Sequence, residues 1–371
     1  MHLIFLALIF IRPFISSLAF PYANTMYSYI LMLFLGVYLI RYGIERGRVE
    51  PLKLALIIFC ITLIISVFFS QDRLNTFKEL YKYITGILLL IVSASALRET
   101  KLKIINIIIF AGLIISLLAI YQYFFGFRHV LEYMRHNNIN SDFALDYLKR
   151  NRVFFPFVTA DILGGYLIMI LALVLIDKKY RWFIFPILCA LLLTKSLGAL
   201  LSLFLGLVIY FCLQDAVKRK KVAFFLGLSA LSIVLVFVIR QLTSKEHTQP
   251  VFSILTRMSY WQGALCVIKA HPIAGVGLGN FGLAASRYAH NSYLQIWAEA
   301  GVLGIIGFSA VIFTIMKIGY ARIKQAKDST ILKGLMVALI MLLFHNLIDF
   351  TLFLPEVFFI WWVIAGLVIS V

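Results

Sequence analysis

Residues 104–125 read IINIIIFAGLIISLLAIYQYFF, twenty-two consecutive positions without a charge. As a helix this stretch rises about 33 Å at 1.5 Å per residue, enough to cross a hydrocarbon core of about 30 Å. The rest of the chain has the same character. Of its 371 residues 63% are hydrophobic and 13% charged, whereas soluble chains hold about 45–50% apolar and about 25% charged residues. So few charges cannot cover a water-facing surface, which excludes a cytosolic enzyme, and a disordered chain needs the opposite composition. The expected fold is all-α: a polytopic membrane protein forming one integral domain over residues 1–371.

Similar apolar stretches lie near 3–20, 25–40, 54–70, 83–97, 154–176, 182–194, 197–213, 222–239, 292–316, 331–348 and 353–371. With the first stretch they predict about twelve membrane helices. The opening MHLIFLALIFIRPFISSLAF carries no basic n-region and no A-x-A site, so it reads as the first helix rather than a leader. Two polar stretches remain, 126–153 and 240–291.

The net charge of +18 raises nucleic acid as a partner. Its distribution gives another reading. With the N-terminus inside, nineteen of the 34 Lys and Arg fall in five short inner loops, around Arg41–Lys53, Arg98–Lys103, Lys178–Arg181, Lys218–Lys221 and Lys317–Lys333. That asymmetry is the positive-inside pattern. Both termini are therefore expected to be cytoplasmic, both polar stretches to form partly helical outer loops, and no nucleic acid is needed. The four cysteines stand singly, with no CxxC pair, which suggests neither zinc nor a disulfide framework.

The hairpin at 182–194 supplies only about 20 Å of helix, so Lys195 either sits recessed below the membrane plane or snorkels to the interface. Between Arg257 and Phe308 the chain begins as an amphipathic helix, with Arg257, Trp261, Ala264 and Ile268 on one stripe. Pro272 and Gly275, Gly277, Gly279 and Gly282 then impose turns. Gly277–Gly282 matches G-x-G-x-x-G but lacks the strand and βαβ unit that give that motif meaning, so a dinucleotide site is rejected.

This stretch resembles the O-antigen ligase family of bacterial membrane glycan transferases. The resemblance rests on His290-Asn291, nine residues, then Gly301-Val302-Leu303-Gly304. Before these stand Arg257, Trp261, His271-Pro272 and Gly275-Val276-Gly277-Leu278-Gly279-Asn280-Phe281. Weaker echoes are Phe69–Asp72, Arg152 with Gly164-Gly165-Tyr166, and His345–Phe350. One departure stands out. Relatives carry Ser-Arg-Gly-Ala where this chain has Ser196-Leu197-Gly198-Ala199, and that arginine is thought to hold the donor pyrophosphate.

The resemblance implies transfer of a glycan from an undecaprenyl-pyrophosphate donor to an acceptor hydroxyl at the outer face of the bacterial cytoplasmic (inner) membrane. The acceptor would be lipid A-core or another hydroxyl for a ligase, and another lipid-linked glycan for a polymerase. A transporter or flippase is the alternative of another class, for which inverted broken-helix repeats are not seen. No cofactor and no metal are implied.

Arg257 suits pyrophosphate oxygens through its guanidinium fork, or else snorkels. Lys195, Arg152 and Arg287 are further donor-binding candidates, Lys195 as the substitute for the missing arginine. His290 suits general-base work, or else caps the next helix. Asn291 reads as a helix cap. Glu299, inside its span, is either an ion-pair partner of a site cation or a buried packing partner of another helix. Trp261 supports the stripe, and Asp349 and Glu356 either orient the acceptor or are solvated. Arg12 either meets a carboxylate or snorkels. Trp182, Trp261, Trp361 and Trp362 suit interfacial belts.

Overall fold

The structure, a computed structural model, describes residues 1–139, 148, 150–175, 178–214, 216–243, 250–284, 286–326 and 328–371. Parts of the two polar stretches expected as outer loops lie outside the described residues.

Regular structure among the described residues is helical, apart from one isolated bridge between Leu283 and Ser286. In chain order the α-helices are α1 (His2–Ile11), α2 (Pro21–Tyr42), α3 (Arg46–Phe68), α4 (Arg73–Ser95), α5 (Arg98–Tyr121), α6 (Phe127–His136) and α7 (Ala160–Val174). They continue as α8 (Ile184–Thr194), α9 (Leu197–Cys212), α10 (Ala216–Thr243), α11 (Pro250–Ala270), α12 (Ser292–Gln325), α13 (Thr330–His345) and α14 (Pro355–Val368).

A helix falls on every apolar stretch, but the expected twelve spans are not matched. Among the described residues five helices are long and apolar enough to cross a membrane: 21–42, 46–68, 98–136, 222–242 and 292–325. Five shorter apolar helices accompany them. The physical reasons differ. The eleven residues of α8 rise only about 16 Å, and α4 places Lys78, Glu79 and Lys82 in its first half.

Helices apolar on all sides are the ones a bundle encloses. Every residue of α14 is buried, as is α7 from Ile162 to Val174. α14 packs on α4, and α7 is held among α13, α8 and α9. Gly86 admits Trp362, because a Cβ there would lie 2.2 Å from the indole nitrogen. Trp361 and Trp362 are therefore core residues, not members of an interfacial belt as their sequence position suggested. Glu356 is likewise not a solvated loop charge. It pairs with Arg12 at 3.5 Å, both fully buried, and accepts from the Ser17 amide and hydroxyl.

Several helix ends meet on one face: the N-termini of α7, α9 and α12, and the C-termini of α8 and α13. The contacts among Arg152, Asp161, Thr194, Ser196, Ser292, His345 and Asn346 join them. This is the face that the positive-inside pattern of the loops leads one to expect outside.

Candidate functional site

The centre of this face is the carboxylate of Asp161, in the first turn of α7. Thr159 caps the helix by accepting from the Ile162 amide, and an acidic residue in a first turn suits the helix dipole. Oδ1 of Asp161 accepts from Arg152 Nη2 at 2.8 Å and from the Ser196 hydroxyl at 2.6 Å. Oδ2 lies 3.7 Å from Arg257 Nη2. Ser196 is itself the N-cap of α9. The paired glycines of α7 permit this crowding. A Cβ at Gly164 would stand 2.8 Å from that of Ala199, and one at Gly165 would stand 2.6 Å from the His345 ring. That ring reaches the Asp161 carbonyl oxygen at 3.1 Å and Asp349 Oδ2 at 3.1 Å.

Beside Asp161 lies a cavity of about 250 Å³ bounded by Arg152, Leu197, Gly198, Arg240, Arg257 and Trp261, among others. Among the described residues three guanidinium groups thus gather around one carboxylate, an arrangement suited to holding an anion. Nε of Arg257 is buried and has no hydrogen-bond partner among the described residues. Arg152 is oriented by donating Nε–H to the Thr194 carbonyl at 2.8 Å, and Arg240 approaches the Lys195 carbonyl at 3.4 Å.

Lys195 takes a left-handed backbone, φ +51°, which turns α8 into α9 within two residues. Its ammonium donates to the Arg150 carbonyl at 3.3 Å and does not bound the cavity. Burial pushes its pKa down, and the nearby Arg152 and Arg240 push the same way. Leu197 does bound the cavity, at the position where relatives carry arginine, and Arg240 arrives from α10 to line it as well.

His290 also adopts φ +51°, half-buried just before α12. Its ring stacks on Tyr260 at 5.5 Å and meets Phe350 edge-on at 4.8 Å. The Trp261 indole donates to its carbonyl at 3.3 Å, so α11 presents Arg257 to the cavity and holds His290 with the adjacent turn. Nδ1 of His290 is buried without a hydrogen-bond partner among the described residues. Burial lowers the imidazole pKa below its ordinary 6.5. Asp349 opposes this, Arg257 reinforces it, and Asp161 opposes it. A neutral, oriented imidazole beside a cationic cavity is equipped to accept a proton.

The other candidates have different placements. Asn291 is the N-cap of α12 and accepts from the Tyr293 and Leu294 amides, each at 3.0 Å. Glu299 is buried in α12 and accepts from the Gly279 amide at 3.0 Å and the Gln295 amide group at 2.9 Å. It clamps the glycine-rich loop and makes no described ion pair with the arginines. Arg287 lies 3.8 Å from Glu79, largely exposed, in a separate cluster where Glu79 pairs with Lys82. The structure does not bring it to the cavity. Asp349 stands behind the site, paired with buried His345. Sequence reading missed Asp161, Ser196 and Arg240. The paired glycines of α7 were the signal that could have found the first two.

Residues 182–309 match the O-antigen ligase family model. The segment runs from the α8–α9 hairpin through α11 and into α12, and it contains Lys195, Arg240, Arg257 and His290. No curated protein matches the chain. The match identifies an O-antigen ligase family domain, in agreement with the resemblance carried by residues 257–304.

Proposed function

We propose that this membrane enzyme of the O-antigen ligase family moves a glycan from an undecaprenyl-pyrophosphate donor to an acceptor hydroxyl, at the outer face of the bacterial cytoplasmic membrane. The observation that carries the reading is the cavity where, among the described residues, Arg152, Arg240 and Arg257 gather around the carboxylate of Asp161, next to His290.

The reaction balances on these groups. The acceptor oxygen bonds to the anomeric carbon, and its proton passes to His290. The bond from that carbon to the phosphate oxygen breaks, and the leaving pyrophosphate keeps the electron pair. Three guanidinium groups oppose the charge that develops there, the kind of fixed stabilisation that contributes most in a water-poor site. A ligase and a polymerase share this chemistry and differ in the acceptor.

Metal independence belongs to the same proposal. Among the described residues no three His, Cys, Asp or Glu side chains gather as ligands would. The test is transfer in detergent from a purified lipid-pyrophosphate donor, with and without EDTA, read by product mass. A product extended on a lipid-linked glycan identifies a polymerase, and one on lipid A-core a ligase. Donor movement across vesicles with no covalent product identifies a transporter and overturns the reading.

A further inference from the structure

Away from this face, α3 and α4 leave a cleft of about 720 Å³ between them. Its lining along α3 follows one helical stripe: Arg46, Val49, Glu50, Lys53, Leu56, Ile57, Cys60, Ile61 and Ile64. From Arg46 to Ile64 that stripe rises about 27 Å, close to the depth of a hydrocarbon core. Ile87 and Ile91 of α4 form the opposite wall. The floor residues Val49 and Leu56 are buried, while Ile57 and Ile61 stand 46% and 51% exposed. α3 meets α12 and α4, so among the described residues no helix covers this stripe.

The two ends of the cleft differ in chemistry. The deep end is aliphatic apart from Cys60. The mouth carries Arg46, Glu50 and Lys53, and across residues 41–53 four basic side chains face two carboxylates. The Lys53–Glu50 contact at 3.2 Å is an exposed pair, both side chains 61% accessible. Such pairs contribute little and open readily to a competing anion. The mouth also lies at the N-terminus of α3, the positive end of the helix dipole, and it belongs to the basic face, opposite the candidate site. The cytoplasmic leaflet is the one richer in anionic lipid.

We infer that this cleft binds one anionic phospholipid, its phosphate between Arg46 and Lys53 and one acyl chain along Ile57, Ile61, Ile64, Ile87 and Ile91. A second copy of the chain fits less well, because a basic mouth facing its own symmetry mate sets like charges together. The site is separate from the transfer reaction and does not rest on its assignment.

The test uses the full chain in detergent, exposed to phosphatidylglycerol or to phosphatidylcholine, with retained lipid counted by native mass spectrometry. The wild type retains one phosphatidylglycerol with a preference over phosphatidylcholine on the order of tenfold, from two mouth charges. The pair Arg46→Glu and Lys53→Glu abolishes the preference. Arg46→Lys with Lys53→Arg keeps it, which separates charge from folding. Ile61→Trp, which fills the cleft, removes the retained lipid of either kind. Equal retention of both lipids by the wild type identifies annular lipid only and overturns the proposal. So does a preference that survives charge reversal, or a dimer that Ile61→Trp dissociates.

Discussion

Arg152 and Asp161, nine residues apart, meet at 2.8 Å, and the oxygen that joins them also holds the Ser196 hydroxyl. One carboxylate therefore ties the segment before α7 to the cap of α9 and, through Oδ2, faces Arg257 of α11. Asp161→Asn leaves these cations without their counter-ion. Loss of a charge-assisted bond of this kind costs about 1.5–3 kcal/mol, so the melting temperature in detergent falls. Inorganic pyrophosphate then raises it more in the variant than in the wild type. An equal rise in both proteins would refute the counter-ion role.

Removal of single cations ranks the site. Arg257→Ala and Arg240→Ala each cut transfer by roughly 10- to 100-fold, the range expected for one charge-assisted contact to the leaving group. Lys195→Ala costs less, because its ammonium points to the Arg150 carbonyl. Arg257→Lys stays impaired, since a lysine has no fork. Initial rates at saturating donor give the order, and a Lys195→Ala loss equal to that of Arg257→Ala contradicts it.

Leu197 bounds the same cavity as Arg240. Leu197→Arg should restore activity to Arg240→Ala, moving the charge from α10 to the start of α9. No recovery, in a variant that folds and inserts normally, would show that the two positions do not serve the same phosphate.

The lowered pKa of His290 fixes the sign of a pH effect. Its neutral form is the base and persists below pH 6.5, so transfer declines only as the pH falls through a value under 6.5. Asp349 holds that value up. Asp349→Asn should therefore move the acid limb to still lower pH. His290→Ala should remove about 10²–10⁴-fold of the rate above the acid limb, where the imidazole is neutral, and progressively less below it. A rate profile with its acid limb above 6.5 contradicts this reading.

The orientation is open to direct labelling. In a chain whose four cysteines are replaced, Lys269→Cys on the site face should react with an impermeant maleimide in intact spheroplasts. Ser329→Cys, between α12 and α13, should not. The reverse pattern inverts the topology.

Much of the helix pattern was legible, because apolar runs bounded by charge or proline can bury in only one way. The stripe of Arg257 and Trp261 and the cap at Asn291 were legible for similar local reasons. The cavity was not. Arg240 looks in sequence like the basic flank of an apolar helix, and Asp161 like an ordinary first-turn acid. Only the folded chain brings residues 152, 161, 240 and 257 to one place. Lys195 stood open in the sequence between a recessed functional charge and a snorkelling side chain; the left-handed turn places its ammonium on the Arg150 carbonyl. The tryptophans of α14 misled, since an indole near a chain end resembles an interfacial anchor until a glycine opposite makes room for it.

α12 is interrupted at Gly301, φ +69°, where a Cβ would stand 1.9 Å from the Ile273 carbonyl oxygen. The carbonyls of Ala298 and Glu299 accept from the Val276 and Gly277 amides, each at 2.9 Å, and the Val302 amide donates to Pro272 at 2.9 Å. The loop thus supplies bonds that the broken helix cannot make for itself. Loop and break are therefore two halves of one unit: each holds backbone groups that only the other satisfies, so an insertion or deletion in either would unpair both.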